Sequence, residues 1–576
     1  MKRYFTILIA LCAMSFSVSA QVTKEVEVTK DFAPEIGTAR KMDIAPNMVD
    51  TITLRPEIDY TITPRSFASA LGSHRFNPAT ITYWEYKHHY PFYAKFGAGY
   101  PLNTVGDFYA STHRADVGYI MGYINHYGQF LRFKEYDQYR ATQMNNRFGV
   151  MGGKYFGRYT LAGNVNYDLN RYSRYPLNGD YDRRKIAYND VKLAVSFGDS
   201  FADYSHINFK IYGSANLYTD NSKTFVEGAR YQQINAVGGI AVAREITKRS
   251  ALSLNVDYEG YYGLHTLKGY KNSIVGATLM YRYRSGGLLD LNIGAKVCYD
   301  HNPADTAKPN RWHAFPVVNA SLNIGDKGWA VPYVEVNGEL QNNSYYSLVK
   351  RNPYVAILGE GNGVLQSNMA LTNTDLYNVR FGISGHSADS KFAYRFYANM
   401  SFMMNDVYWY NINQIFFDAV TANRNVWSLC GVLDYKPISE LLISAQVKGS
   451  LYDNYAKLGD LQLAGALPDV EALLKVRYTH KKFTLGLSAE LYGKTKWTTL
   501  YDEKLFDETA VSSATYTTFT APTSLNLSLY ADWHINRTCT VFAEGNNLLG
   551  DVLPTYRWAF YRELGASFIV GVKVQF

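Results

Sequence analysis

The sequence predicts an all-β fold, a transmembrane antiparallel β-barrel of about 22 strands, and three observations carry that reading. The chain ends in ASFIVGVKVQF, with Phe568, Val570, Val572, Val574 and Phe576 on one phase and Ser567, Ile569, Gly571, Lys573 and Gln575 on the other. It holds 50 Tyr, 30 Phe and 8 Trp, 15% aromatic in all, alongside 44 Gly and only 17 Pro. Short and long connections alternate between its strands from residue 91 to the end. A period of two marks a strand with one apolar face, and aromatic girdles mark the two membrane interfaces.

Residues 1–20, MKRYFTILIALCAMSFSVSA, place Lys2 and Arg3 before an apolar stretch and Val18-Ser19-Ala20 before Gln21. This is the pattern of a secretory signal peptide cleaved between Ala20 and Gln21. No later segment approaches about 18 consecutive apolar residues, so no membrane-spanning helix is expected. Cys298, Cys430 and Cys539 are too few and too scattered for a disulfide framework or a zinc site. The formal net charge of +8 includes the two signal-peptide cations and no dense Lys/Arg block, which argues against nucleic acid as a partner.

Residues 21–90 carry Pro34, Pro46, Pro56 and Pro64 and few apolar residues. Recurrent prolines favour an extended trace, so an extended periplasmic or luminal leader is expected in place of a folded plug. Its EVEVTKDF stretch, Glu25 to Phe32, reads as an ordinary polar leader, with a strand-addition box as the alternative.

From 91 to 576 the strands alternate. LSLNVDYE sets Leu252, Leu254, Val256 and Tyr258 against Ser253, Asn255, Asp257 and Glu259; INFKIYGSANL and FTLGLSAELY behave alike. Short connections are expected near 113–115, 156–158, 198–204, 245–250, 284–287, 325–328, 387–390, 435–438, 480–482 and 535–537. Long ones include 342–375, 404–424, 452–469, 494–522 and 550–565. An even strand count brings the last strand back beside the first, which closes the sheet and satisfies every backbone group in the hydrocarbon layer.

FAEGNNLLGD, Phe542 to Asp551, with Glu544, Asn546, Asn547 and Leu548, resembles the penultimate-strand segment of TonB-dependent receptors. RELGASFIVGVKVQF resembles their closing strand, departing at Gly565-Ala566 where the family commonly has Gly-Arg. The short leader departs from the family's globular plug, and its Lys-Asp-aromatic-x-Pro opening resembles the plugless TonB-receptor-like barrels of Bacteroidota. The resemblance implies fold and outer-membrane location, with lipopolysaccharide as surroundings; energised uptake is not carried over. The closing strand, Phe568 to Phe576, resembles the C-terminal signal read by the outer-membrane assembly machinery. A periplasmic or surface lipoprotein is a further candidate partner.

Motifs for chemistry fail. GISGHS (Gly382 to Ser387) has His386 where a nucleophile elbow needs glycine, and GEGNG (Gly359 to Gly363) lacks the Lys-Ser/Thr of a phosphate loop. The loop carboxylates Asp300, Asp305, Asp502, Glu503, Asp507 and Glu508 lack calcium-site spacing, and His88-His89 has no nearby third ligand. No catalytic, cofactor or metal residue is expected, and no enzyme. Asp257, Glu259, Glu335, Glu339 and Glu490 are expected on the lumen faces. Lys210, Lys296, Arg395, Lys448, Lys475, Arg477 and Lys573 balance them there, since a charge facing lipid costs about 2–4 kcal/mol at the midplane. Two functions follow: a transport or pore-type protein acting with a partner, or a non-transporting scaffold subunit of an outer-membrane complex. Either needs its wide lumen filled, by the leader, by an infolded loop such as 342–375, or by another protein.

Overall fold

The computed structural model describes residues 90–576 apart from 115, 133–139, 177–184, 202, 223–229, 286, 304–307, 325–327, 356–370, 459–460 and 502–514. The expected signal peptide, with Ala20 and Gln21, and the expected leader up to residue 89 lie outside the described residues.

The strands begin β1 Phe92–Tyr100, β2 Asn103–Arg114, β3 Gly118–Arg132, β4 Arg140–Phe156, β5 Tyr159–Ser173 and β6 Lys185–Asp199. They continue β7 Asn208–Asp220, β8 Tyr231–Thr247, β9 Ser250–His265, β10 Lys271–Arg284, β11 Leu289–His301 and β12 Asn310–Leu322. After β13 Val331–Gln341 comes a short helix, α1 Tyr345–Arg351, then β14 Thr374–His386, β15 Phe392–Ile412, β16 Phe416–Ile438 and β17 Leu441–Asn454. The last third holds β18 Lys457–Leu458, β19 Leu461–Gln462, β20 Val470–Thr479, β21 Phe483–Tyr492, β22 Thr495–Tyr501 and β23 Thr515–Ala521. It ends with β24 Ser524–His534, β25 Cys539–Asn546, β26 Tyr556–Trp558, β27 Tyr561–Arg562 and β28 Ser567–Gln575.

Twenty-four of these strands share one sheet; β22 and β23 form a side hairpin within it, leaving a ring of 22 antiparallel strands. The ring closes where β28 lies between β25 and β1, in register from Tyr93 opposite Gln575 to Tyr100 opposite Phe568. Phe92 and Phe576 exchange both backbone hydrogen bonds at 3.0 Å, and their rings stack with centroids 5.2 Å apart. The fold is thus an all-β, closed, membrane-spanning barrel with almost no helix among the described residues.

Alternation decides what faces lipid. Val191, Leu193 and Val195 on β6 and Leu252, Leu254 and Val256 on β9 all point outward. Trp312, beside Tyr299 at 5.0 Å, stands at one rim, and Trp329 and Trp533 at the other, as interfacial girdles require. Inward charges pair across strands, as in Lys95–Glu544 (2.8 Å), Arg380–Glu335 (2.8 Å) and Lys573–Asp532 (2.7 Å).

Two features depart from the sequence expectation. Residues 404–424, expected as a long loop, continue β15 and β16 into a tall hairpin joined at 413–415, where Asn413 and Gln414 take positive φ. Val407–Ile412 is buried on both phases, so protein covers both faces and the lipid-dictated alternation disappears from the sequence. β22 adds to this hairpin in parallel, Tyr410 opposite Thr498.

The second feature is a split between β12 and β13. They pair only from Val318 opposite Val336 to Ser321 opposite Tyr333, whereas β11 and β12 pair along their whole length. Above the split, Leu340 and Tyr377 carry on the outward phase of Val334 and Phe381. Yet Leu340 is buried with Ile274, Cys298 and Phe315 of the inner wall, and Tyr377 packs on Phe315 at 5.0 Å. The upper β13–β14 hairpin therefore tucks inside β12. Pro316, which lacks an N–H, stands on the stretch of β12 that pairs with β11 but not with β13, and Tyr377 Oη donates to the carbonyl of Ala314 there at 3.2 Å.

Candidate functional site

The tucked hairpin delivers α1 into the long-loop end of the barrel, which is the extracellular end in barrels of this kind. The helix starts where Asn342 and Ser344 supply local acceptors: Asn342 Oδ1 takes the Ser344 N–H at 2.8 Å and Ser344 Oγ takes that of Ser347. It stops where the Asn352 N–H reaches Leu348 O at 2.8 Å and Asn352 Oδ1 takes the Tyr354 N–H. A single seven-residue helix is unstable alone, so its persistence rests on what it packs against.

It packs on the inner wall of β6, β7 and β8, far around the ring from its own strands. Tyr345 Oη donates to Asp220 Oδ2 at 2.6 Å, and Tyr346 Oη to Asp190 Oδ2 at 3.0 Å. Lys350 Nζ lies 3.1 Å from the same Asp190 oxygen. Gln233 Nε2 donates to Ser344 Oγ at 2.9 Å while Gln233 Oε1 accepts from the Tyr346 N–H at 3.2 Å. The wall acceptors are themselves fixed by a ladder in which Asn216 donates to Asp190 and Asn235 to Asn216. Burial beside Asp220 pushes the Tyr345 phenol well above its ordinary value, since ionising it would put a second negative charge in a dry site.

Beyond the helix the same loop joins an aromatic cap. Tyr354 stacks on Tyr561 at 3.7 Å, and Tyr175 meets Tyr561 edge-on at 5.0 Å. Trp558 touches Trp497 (5.4 Å), Phe417 (5.5 Å) and Trp409 (5.9 Å). Val355 bridges Phe417 in parallel, and the Phe417 N–H donates to Tyr354 O at 3.1 Å. One apolar cluster thus joins β4, β6, β7, β8, the 342–373 loop, the tall hairpin and the 547–566 loop. Burial raises the Tyr354 phenol and lowers the Arg174 guanidinium within it.

The residues singled out in the sequence lie elsewhere. Phe568, Val570, Val572 and Phe576 face outward on the closing strand, and Val574 follows their phase. Glu544 pairs with Lys95 across β28. Asn546 sits opposite Ser567, and Asn547 takes a positive φ and donates to Leu564 O at 2.7 Å. The Leu548 N–H reaches Leu527 O at 2.8 Å, so this motif builds the turn above β25. Of the lumen charges, Glu335 meets Arg380 and Lys448 meets Glu471, while Glu259 accepts from Tyr261, Glu490 from Tyr492, Asp257 from Asn255 and Glu339 from Gln341. Lys210, Lys296, Arg395, Lys475 and Arg477 lie on strands spread around the ring and form no single cluster with them. Among the described residues no group of three or more His, Cys, Asp or Glu is arranged to hold a metal ion. Asp190, Asp220, Gln233 and α1 were missed; the signal for the helix is Asn-Asn-Ser followed by Tyr345, Leu348 and Val349 at helical spacing.

No family model and no curated protein matches the chain. Solved structures do. The FrpB iron transporter from Neisseria meningitidis (F3-3 variant) is similar at 10% identity and a TM-score of 0.62, over 85% of this chain and 82% of that one. The siderophore receptor PirA from Acinetobacter baumannii gives 11% and 0.61, over 84% and 80%. FpvA of P. aeruginosa, bound to heterologous pyoverdines, gives 11% and 0.61, over 85% and 72%. At these identities the likeness is one of fold: this chain forms a large closed β-barrel like those structures.

Proposed function

We propose that this chain is a transport-type outer-membrane barrel whose extracellular mouth is held shut by its own β13–β14 unit and opened with the help of a partner. The observation that carries the reading is the set of contacts from Ser344, Tyr345, Tyr346 and Lys350 to the wall of β6–β8. A helix slung from β13 and β14 to that wall crosses the lumen. The chain's likeness in fold to a siderophore receptor and an iron transporter supports solute passage as the task of such a barrel. A periplasmic or surface lipoprotein is the partner class proposed, and the leader at 21–90 is proposed as its periplasmic contact. The closing strand, Phe568 to Phe576, is proposed as the assembly signal.

The test is planar-bilayer conductance of the full chain against a variant in which residues 343–372 are replaced by a short Gly-Ser linker. Asn342 Nδ2 lies 3.3 Å from Asn373 Oδ1, so a short linker bridges the gap. The full chain is expected to pass little steady current and the variant a large one. Equal currents would remove the gate. The tight stacking of Tyr354 on Tyr561 favours a second reading, a permanently capped scaffold, for which no ligand or partner raises the conductance of the full chain.

A further inference from the structure

We propose that the inner wall of β6–β8 is a binding site for a short, basic, tyrosine-bearing peptide, and that α1 is its tethered occupant. The proposal rests on the gate reading above and deepens it by naming the ligand class. A ligand opens a closed gate only by binding the open state better than the closed one, and the direct way is to make the gate's own contacts in its place. Those contacts specify a chemistry. Asp220 Oδ2 takes a phenolic hydrogen, and Asp190 Oδ2 takes a second phenol and an ammonium. Gln233 reads a main-chain N–H with its carbonyl oxygen and a hydroxyl with its amide nitrogen.

The rings match the same chemistry. Tyr218 meets Tyr345 and Tyr346 edge-on at 6.2 and 5.3 Å, and the Lys350 ammonium lies 5.6 Å over the Tyr188 ring. Simple polyols would satisfy the carboxylates but leave these edge-on and cation–π arrangements unused. The occupant also leaves something over. Tyr231 is 1% exposed, packs on Tyr345 at 5.5 Å, and its hydroxyl has no hydrogen-bond partner among the described residues. A buried unpaired hydroxyl is costly, so an incoming ligand with one more acceptor gains a contact that α1 does not make.

The experiment uses a fluorescently labelled peptide of residues 343–352, NSYYSLVKRN, and measures its anisotropy with two folded barrels checked by heat modifiability. One is the variant with residues 343–372 replaced by a linker. The other is full length with Tyr345→Phe, Tyr346→Phe and Lys350→Gln, which keeps the loop but weakens its hold. Saturable binding to both, absent from the unaltered chain and weakened about tenfold or more by Asp190→Asn with Asp220→Asn, is expected. A peptide carrying the same three substitutions should lose comparable affinity. No saturable binding to either barrel, or binding indifferent to the two aspartates, overturns the proposal. Conductance is read separately, so peptide binding without a conductance change condemns the gate and spares the site. An opened pore that ignores the peptide condemns the site and spares the gate.

Discussion

Tyr345 and Asp220 are 125 residues apart in the chain, and their side chains meet at 2.6 Å inside the barrel. The contact ties a loop of one arc of the ring to the wall of another. Because Tyr345 is buried beside Asp220, the contact also ties the position of the loop to the Tyr345 phenol staying neutral.

Tyr345→Phe removes one hydrogen bond to a charged acceptor and leaves the ring. Undocking of α1 should become easier by about 1.5–3 kcal/mol, the range for such bonds. Hydrogen exchange of residues 345–355 should report the change while the strand amides of β2–β5 stay as protected as before. Equal exchange in both proteins would mean that the bond does not hold the loop.

Alkaline pH should release the same segment. Burial and Asp220 raise the Tyr345 phenol in the folded protein above its ordinary value of 10.0, and burial raises that of Tyr354. A group whose folded value is raised gives stability that is fully present below its unfolded value and lost as pH climbs beyond it. Docking should therefore hold up to about pH 10 and weaken above it. Ultraviolet titration should show a late tyrosinate phase that coincides with faster exchange at 345–355; full ionisation near the ordinary value, with the loop still docked, would contradict this.

Phe315→Ala should loosen the tuck. Phe315 is fully buried between the inner wall and Tyr377, and truncating such a ring costs about 3–5 kcal/mol. The variant should lose its compact gel mobility at a lower temperature than the unaltered protein. An unchanged transition would show that the tuck adds nothing to barrel stability.

Deleting Phe576 should lower the amount of assembled barrel far more than Leu254→Ala on the lipid face. The first removes a ring stack and two backbone hydrogen bonds at the closing seam; the second trims one outward side chain. Equal yields of heat-modifiable protein would count against a special role for the terminus.

The barrel was legible because lipid imposes a simple rule. On β9, Leu252 to Tyr258 alternate as an outward face must, and the ten short connections expected fall at or beside the observed turns. The rule fails where protein replaces lipid. Tyr408, Trp409 and Tyr410 are all buried, so the tall hairpin has no apolar phase to read. The β13–β14 tuck is hidden for the opposite reason: Val334, Val336 and Leu340 keep a lipid-facing rhythm although Leu340 ends up inside. Asp190, Asp220 and Gln233 look like any lumen-facing polar residues, and only partners 111 to 156 residues away distinguish them.

The short ladder between β12 and β13 has a mechanical consequence. A closed ring under lateral tension carries the same load through every seam, so it parts at the weakest one. Here that seam holds four residue pairs while β3 and β4 share fifteen. Tension should unzip this barrel at a fixed address, between Ser321 and Tyr333 at one end and Val318 and Val336 at the other. The arc from β1 to β12 and the arc from β13 to β28 would then open like two halves of a shell, still hinged where β28 meets β1.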